Sequence, residues 1–246
     1  MKLSDRIERI FDHAVTLQQN GRLRSTVYCI GKKIYILNQD QTVLMRFLLR
    51  NVDQQKGKKL EFKNPVSFNA NDYDSKEVEE RDGKICFIQQ ASGFERVKSC
   101  KTPNLSPDEV DKLFKSYNSE LSNSIIIHDE IRSLLEEDLS HIEFSCEDEE
   151  FKIIQRNIYS GSVSELKQKV EEEGLTSSKQ ILEDFEPIGL RTNDFMALFS
   201  FVDRIKLHFM PGDIIVAESL DPTMPMKVLI SKCKYDELGE THGRKK

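Results

Sequence analysis

The chain has 246 residues, of which 32% are charged and 38% are apolar, and its net charge is −6. This length suits one large domain or two domains of roughly 110–130 residues, each with a core of its own. The negative total argues against a protein that coats nucleic acid uniformly. It is compatible with a basic surface confined to one side, because the local field depends on how charges are distributed.

The cysteines and the N-terminus indicate the cell compartment. Five cysteines lie far apart, without a Cys-x-x-Cys pair, which is typical of reduced thiols in a cytosol-like compartment. The first residues lack the apolar core of a signal peptide, and no apolar run approaches the roughly 18 residues that cross a bilayer. We therefore expect a soluble, intracellular protein without a membrane partner.

The first predicted element is a helix over residues 5–20, whose apolar residues recur at steps of three and four and so share one face. These residues are Leu3, Ile7, Ile10, Phe11, Ala14 and Leu17. Ser4 is a suitable N-cap, and Gly21 suits the position after the last turn. The opposite face carries Arg6, Arg9 and His13. Such a face is either a solvated surface or a binding surface.

Strand patterns fill most of the remaining first half. Residues 25–51 predict a three-stranded meander, and residues 58–63 alternate as a further strand. Asp82-Gly83 is a hairpin signal before a predicted strand over residues 84–88. The acidic stretch 68–80 suits a short helix or a loop.

Residues 99–123 predict an interdomain connector that carries a short helix. Ser106 and Pro107 suit the N-cap and the first helical position, and acidic residues follow in the first turn. An apolar stripe then runs through Val110, Leu113, Phe114 and Tyr117.

The second half repeats the order of the first. Its predicted helices cover residues 128–141, 164–173 (charged) and 192–204. Its predicted strands cover residues 143–146, 151–155, 179–185, 205–210, 214–219 and 226–233. The polar tail, 239–246, is expected to be disordered. Two similar α+β halves predict a protein built by duplication, with domains at 1–98 and 124–238 joined by the connector.

No sequence motif for catalysis is present. The chain lacks the glycine-rich phosphate loops, the HExxH zinc motif, Gly-x-Ser-x-Gly and the kinase motifs. His128 and His141 would stand at opposite ends of one predicted helix, about 20 Å apart, and could not share a metal. We expect no cofactor and no metal. An enzyme would need a site assembled from scattered residues such as His128, Asp129 and Cys146.

The order of the predicted elements resembles that of a replication sliding clamp of the PCNA type. Residues 138–142 resemble the end of the first helix of the clamp's second domain. Residues 193–198 followed by 205–209 resemble the last helix and the strand after it, and residues 224–228 resemble the entry to a late strand. Met1-Lys2-Leu3-Ser4 and Met210-Pro211-Gly212-Asp213 are similar to the clamps of T-even-like phages.

The resemblance implies an α+β fold of two similar sliding-clamp domains with antiparallel sheets and helices, in a homotrimer that closes into a ring. Basic side chains on the helices of such a ring face duplex DNA, in contacts that are independent of sequence and sensitive to salt. The implied partners are the DNA polymerase and the clamp loader, and no enzyme activity is implied. The implied location is with the replicated DNA, or in the host cytoplasm if the source is viral.

Carried onto this chain, the resemblance implies a set of DNA-facing residues: Arg6, Arg9, His13, Arg132, Arg191 and Arg204. Residues 68–80 would have to supply the second helix of the first domain. Glu136 and Glu137 stand where related clamps carry arginine or lysine. This acidic run favours the alternative function, a protein-binding adaptor that is related to clamps but does not encircle DNA.

The resemblance also implies that partners dock a short peptide under the connector. The corresponding residues are Leu105, Val110, Leu113, Phe114, Tyr117 and Tyr235. An exposed apolar patch there would be a binding site. In the other interpretation, Val110, Leu113 and Phe114 pack onto the first domain as core residues.

Overall fold

The computed structural model describes residues 7–12, 14, 25–38, 40–49, 62–69, 77–82, 84–102, 106–117, 123–136, 138–147, 150–169, 176–180, 186–209 and 212–234. The chain divides into two compact units, Met1–Tyr117 and Asn118–Lys246. Both units combine antiparallel sheets with short helices. Among the described helices, none is both long enough and apolar enough to span a membrane.

The described residues of the first unit form two antiparallel sheets and two helices. Its strands are β1 (Ser25–Gly31), β2 (Lys33–Asn38), β3 (Val43–Leu48), β4 (Phe62–Asn69), β5 (Glu77–Arg81), β6 (Lys84–Ala91) and β7 (Phe94–Ser99). The larger sheet pairs in the order β3-β2-β1-β4, and the smaller one in the order β5-β6-β7. Helix α1 comprises the helical residues 7–12 and 14, and helix α2 is Pro107–Ser116.

Helix α1 buries the face that its periodicity predicts. Ile7, Ile10, Phe11 and Ala14 are fully or almost fully buried, whereas Arg9 is exposed. An edge-to-face aromatic cluster holds the helix, because the Phe11 ring lies 5.2 Å from that of Phe68 and 6.5 Å from that of Phe87. The predicted residues Leu3, Ser4, Leu17 and Gly21 lie outside the described residues.

Helix α2 starts where the connector sequence predicts. Ser106 is extended, Pro107 is the first helical residue, and the Val110 backbone donates a hydrogen bond to the Ser106 carbonyl at 3.2 Å. Val110 and Phe114 are buried within the first unit. The connector helix thus packs as part of that unit.

A group of five side chains, the connector anchor, fixes α2 to the sheet: Lys33, Tyr35, Arg46, Asp111 and Phe114. The Asp111 carboxylate accepts hydrogen bonds from Lys33 Nζ and, at 2.7 Å, from the Tyr35 hydroxyl. The Tyr35 and Phe114 rings lie 6.1 Å apart, and the Arg46 guanidinium stands 4.3 Å from the Phe114 ring centre.

In the second unit, the part of the chain that the structure describes forms two further sheets and two short helices. Its strands are β8 (Asn123–His128), β9 (His141–Glu147), β10 (Glu150–Arg156), β11 (Val163–Lys169), β12 (Thr176–Gln180), β13 (Ile188–Arg191), β14 (Arg204–Phe209), β15 (Ile214–Ser219) and β16 (Met226–Ser231). They pair as β12-β8-β14-β15-β16 and β11-β10-β9-β13. The helices are a 3₁₀ turn, Asp129–Ser133, and α3, Thr192–Leu198.

A phenylalanine cluster forms the core of the second unit. Phe144 of β9 lies 5.3 Å from Phe195 of α3, 6.0 Å from Phe151 of β10 and 6.1 Å from Phe209 of β14. One ring therefore joins both sheets and the helix of this unit.

The helix predicted over 128–141 is wrong. Ile131, Leu135, Leu139 and Ile142 are buried as expected, but of the described residues in this range only 129–133 are helical, and β9 begins at His141. The Gln155 side chain forms two hydrogen bonds with the backbone of Glu136. Its amide oxygen accepts from the Glu136 N–H at 2.9 Å, and its amide N–H donates to the Glu136 carbonyl at 3.2 Å. A contact from a distant strand thus replaces the bonds of a helical turn.

Three further predictions are corrected by strand pairing. Residues 163–169 form β11, paired along its whole length with β10, and not a charged helix. The described ends of 68–80 belong to β4 and β5, so the described residues there supply no second helix. Helix α3 ends at Leu198 instead of residue 204, because Arg204 begins β14 opposite His128.

We expect Asp111→Asn to lower the free energy of unfolding by about 1–2 kcal/mol at neutral pH, because the anchor loses its charged acceptor. Burial raises the pKa of Asp111, but hydrogen bonds from Lys33 and Tyr35 and the charges of Lys33 and Arg46 outweigh it, so the pKa lies below its ordinary value. The carboxylate's contribution is therefore present above the unfolded pKa of about 3.9 and is lost as the pH falls through the lower folded value.

Urea unfolding of wild type and Asp111→Asn at pH 7 and pH 3 measures this difference. The exposed Asp138→Asn is the matched control, with an expected change within about 0.5 kcal/mol. A stability deficit that grows on acidification would contradict the assigned role of the Asp111 charge.

Candidate functional site

The basic face of α1 is described at one position. Arg9 is exposed on the side of the helix opposite Ile7 and Ile10. Arg6 and His13 lie outside the described residues. The described part of the face therefore offers one exposed cation, and Asp12 is exposed one turn further on.

Two of the predicted DNA-facing arginines of the second unit share one corner. Arg204 begins β14 opposite His128. The Asp129 N–H donates to the Asp203 carbonyl at 2.8 Å, so the 3₁₀ turn that carries Arg132 starts beside the start of β14 and forms one corner with it. Arg204 is exposed and Arg132 is half-buried. Arg132 Nη1 donates to the Phe199 carbonyl at the end of α3, at 3.4 Å.

Arg191 stands at the other end of α3. It is the N-cap residue of that helix and pairs with His141 in the sheet. Because Arg132 contacts the last turn and Arg191 precedes the first, the three predicted DNA-facing arginines of this unit lie around the helix ends and not along its exposed side. The exposed position within α3 is Asn193.

Acidic groups stand beside these arginines. Burial raises the pKa of Asp129, and the negative charges of Glu130 and Asp203 raise it further. Glu136 is exposed, and Glu137 lies outside the described residues. The corner that holds Arg132 and Arg204 therefore carries mixed charge.

The apolar stripe of the connector divides into core and surface. Phe114 is 3% exposed and Val110 is buried, so neither offers its side chain to a partner. Leu113, between them, is 42% exposed. Tyr117 is half-buried, whereas Leu105 and Tyr235 lie outside the described residues. Of the described residues predicted to bind a partner, Leu113 is the most exposed.

The possible ligands singled out in the sequence do not converge. His128 ends β8 and His141 begins β9, and Cys146 is a buried residue of β9. Within the described parts of the chain, no group of three or more His, Cys, Asp or Glu residues could hold a metal ion. None of the five cysteines forms a disulfide; all five lie in the described residues.

A cluster on the last strands is bound up in the sheet. The buried His208 contacts Glu218 at 3.3 Å, and Lys227 contacts the same carboxylate at 3.1 Å. The His208 hydrogen bond and the Lys227 contacts lower the pKa of Glu218 to about 2, against the effect of burial. These groups tie β14, β15 and β16 together.

Sequence reasoning missed two strand edges with exposed apolar side chains. β7 pairs with β6 and ends its described sheet, and Phe94 and Val97 on it are 81% and 41% exposed. β11 ends the four-stranded sheet in the same way, and its Val163 is 56% exposed. The only signal in the sequence was an apolar residue among charged neighbours, which is too weak to locate an edge.

Solved structures share this fold over nearly the whole chain. A chain of the PCNA2–PCNA3 complex from Sulfolobus tokodaii aligns with a TM-score of 0.58 and 13% identity, and the alignment covers 94% of this chain and 99% of the PCNA chain. PCNA from Entamoeba histolytica aligns with a TM-score of 0.57 and 10% identity, covering 95% and 97%. No protein-family model and no curated protein matches the sequence. The chain has the PCNA-like sliding-clamp fold, which confirms the predicted resemblance and fold class.

The neighbouring residues Leu113 and Phe114 should respond differently to substitution. We expect Leu113→Asp to change the free energy of unfolding by only about 0.5 kcal/mol, because its side chain is half in water. Phe114→Ala should cost about 3–5 kcal/mol, because it empties a buried site against Tyr35 and Arg46. Urea unfolding measures both. A Leu113→Asp variant that unfolds would place Leu113 in the core and the partner surface elsewhere.

Proposed function

We propose that this protein is a DNA sliding clamp, a non-enzymatic processivity factor of replication. Three copies close into a ring around duplex DNA, a clamp loader opens the ring, and the ring tethers the replicative DNA polymerase. The observation that carries the proposal is the match of fold to PCNA structures over at least 94% of this chain. A clamp needs a closed ring, a basic hole and a docking surface, and it needs no catalytic residues.

The edge strands support the closure of a ring. An exposed edge with apolar side chains invites pairing with another chain. β7 belongs to the first unit and β11 to the second, so pairing β7 of one copy with β11 of the next uses two different surfaces head to tail. Such heterologous contacts close into rings when the rotation fits.

The basic positions support contact with DNA. In the helix predicted over residues 5–20, Arg6, Arg9 and His13 share the face opposite the apolar stripe. Arg132, Arg191 and Arg204 lie around the ends of α3 in the second unit. Contacts from such side chains to phosphate carry no sequence information, which lets a ring slide. The net charge of −6 is compatible with this arrangement if the cations line the hole.

The connector supports polymerase tethering. Leu113 presents an exposed apolar side chain on a helix that the connector anchor holds in place. We expect a polymerase or loader tail peptide to bind near Leu105–Tyr117 and Tyr235 with micromolar affinity, about −8 kcal/mol. Leu113→Asp should abolish that binding.

For the ring, we predict a trimer of three times 28.5 kDa in native mass spectrometry. Phe94→Asp with Val97→Asp should yield monomers, because two buried carboxylates without partners would oppose edge pairing. The matched control, Leu113→Asp with Leu134→Asp, changes two exposed leucines away from the edges and should remain trimeric. A wild type that stays monomeric at micromolar concentration in moderate salt would contradict the ring.

For DNA contact, we predict that Arg6→Ala with Arg9→Ala reduces processivity and shortens retention on closed circular DNA. The plot of log retention against log salt should flatten by about one unit for each phosphate that is no longer bound. Stability should change by only about 0.5 kcal/mol per exposed substitution.

The matched control for DNA contact is Lys32→Ala with Lys84→Ala, which removes two exposed cations from turns and strands outside α1. This control should keep the wild-type processivity and salt slope. Equal effects of the two double variants would show that total charge, and not the face of α1, sets the affinity.

The alternative function is a protein-binding adaptor that shares the clamp fold without encircling DNA. The mixed charge around Asp129, Glu130 and Asp203 and the sequence of α3, which has no basic residue, favour it. An adaptor would bind partner peptides as a trimer or monomer but would show no salt-dependent retention on circular DNA. The same retention assay therefore separates the two functions.

A further inference from the structure

A cavity of about 340 Å³ lies in the first unit, and none of its lining residues is among the predicted DNA-facing or partner-binding residues. β1 and β4 line it with Tyr28, Ser67 and Asn69, and the end of β7 and the segment after it line it with Lys98, Ser99 and Lys101. Its volume is near the lower end of the range of about 300–1,000 Å³ typical of ligand sites.

The walls of this cavity are joined by backbone hydrogen bonds. Ser67 N–H donates to the Lys101 carbonyl at 2.7 Å, and Lys101 N–H donates to the Ser67 carbonyl at 2.9 Å. Tyr28 pairs with Ser67 in the sheet. The lysine-bearing segment is therefore held against β4, and the backbone that carries its side chains is set before any ligand arrives.

The lining suits a negatively charged group. The Tyr28 and Thr102 hydroxyls and the Asn69 amide provide hydrogen-bond donors, and the half-buried Lys98 and the exposed Lys101 provide positive charge. The Ser67 hydroxyl instead donates to the Lys101 carbonyl at 3.4 Å. None of the ten lining residues is acidic, although the chain has a net charge of −6. Burial raises the pKa of Tyr28, against a hydrogen bond with Thr26, so the phenol keeps its proton and can donate.

The strand register shows which side of the sheet this cavity occupies. Phe68 pairs with Val27 and contacts Phe11 of α1, so these two residues share the face that α1 covers. Tyr28 and Ser67 point to the opposite face by the alternation of strands. Tyr35 pairs with Tyr28 and contacts Phe114 of α2, so the polar wall with Tyr28 and Ser67 lies on the connector side of the sheet. Phe68 and Phe87, which also line the cavity, belong to the aromatic cluster under α1.

We infer that this cavity binds the carboxylates of an acidic peptide segment, carried by a protein partner that docks along the connector. The inference rests on the proposed function, in which α1 faces DNA and the connector side faces protein partners. Two lysines, two hydroxyls and one amide bind carboxylates through charge-assisted hydrogen bonds, which are stronger than neutral ones. The cavity thus adds a charged subsite to the apolar contact at Leu113.

Fluorescence anisotropy of the full chain with labelled acetyl-Glu-Glu-Glu-Glu-amide, without DNA and at low salt, tests this inference. We expect saturable binding, and no binding of the matched glutamine peptide. Lys98→Ala with Lys101→Ala should lower the affinity for the tetraglutamate peptide at least about tenfold, which corresponds to about 1.4 kcal/mol of binding free energy. Lys32→Ala with Lys84→Ala removes equal charge outside the cavity and should leave the affinity unchanged.

Several results would overturn the inference. One is that the glutamine peptide binds as tightly as the tetraglutamate peptide. Another is that the control double variant loses as much affinity as the cavity double variant. A third is that equimolar inorganic phosphate displaces the peptide, which would indicate a general anion site. If the cavity double variant unfolds at a lower temperature, Asn69→Asp places a carboxylate at the exposed rim instead and should weaken binding likewise. Intact trimers with normal processivity but no peptide binding would reject this inference and leave the clamp function standing.

Discussion

The alternation of side chains along β1 is the constraint on which the first unit depends. Val27 and Cys29 are buried on the face that meets α1, whereas Tyr28 lies on the other face beside Tyr35 and Ser67. One strand therefore supports the aromatic cluster under α1, the connector anchor and the cavity. In a clamp, the same alternation would separate the surface that meets DNA from the surface that meets proteins.

Helices and strands that depend on local sequence patterns could be predicted, and those that depend on contacts between distant residues could not. The closing meander was predicted nearly to its ends, because apolar runs alternate between clear turn signals such as Asp221-Pro222. The helix expected over 128–141 does not form, because the Glu136 N–H donates to the Gln155 side chain. No local sequence pattern predicts that contact. The strand β11 was missed because an edge strand with one face in water carries polar residues that also suit a helix.

The predicted partner surface depends on packing that the sequence does not reveal. The resemblance placed a partner surface on the connector, yet only packing decides that Phe114 lies against Tyr35 and Arg46 while the adjacent Leu113 faces water. The cavity had no signal in the sequence, because its walls come from β1, β4, β6, the end of β7 and the segment after it, which are brought together only by strand pairing. Sequence order can suggest a clamp, but the chemistry of its surfaces depends on tertiary contacts.

The two-faced β1 also determines where this chain can change length during evolution. Deletion or insertion of one residue inside β1 would move Tyr28 to the α1 side and Val27 to the connector side, so it would damage the core and the outer surface in a single event. Insertions before β1 or in the turn at Lys32 leave that alternation intact. Homologues should therefore keep the length of β1 while their turns differ, even where almost no residue of the strand is the same.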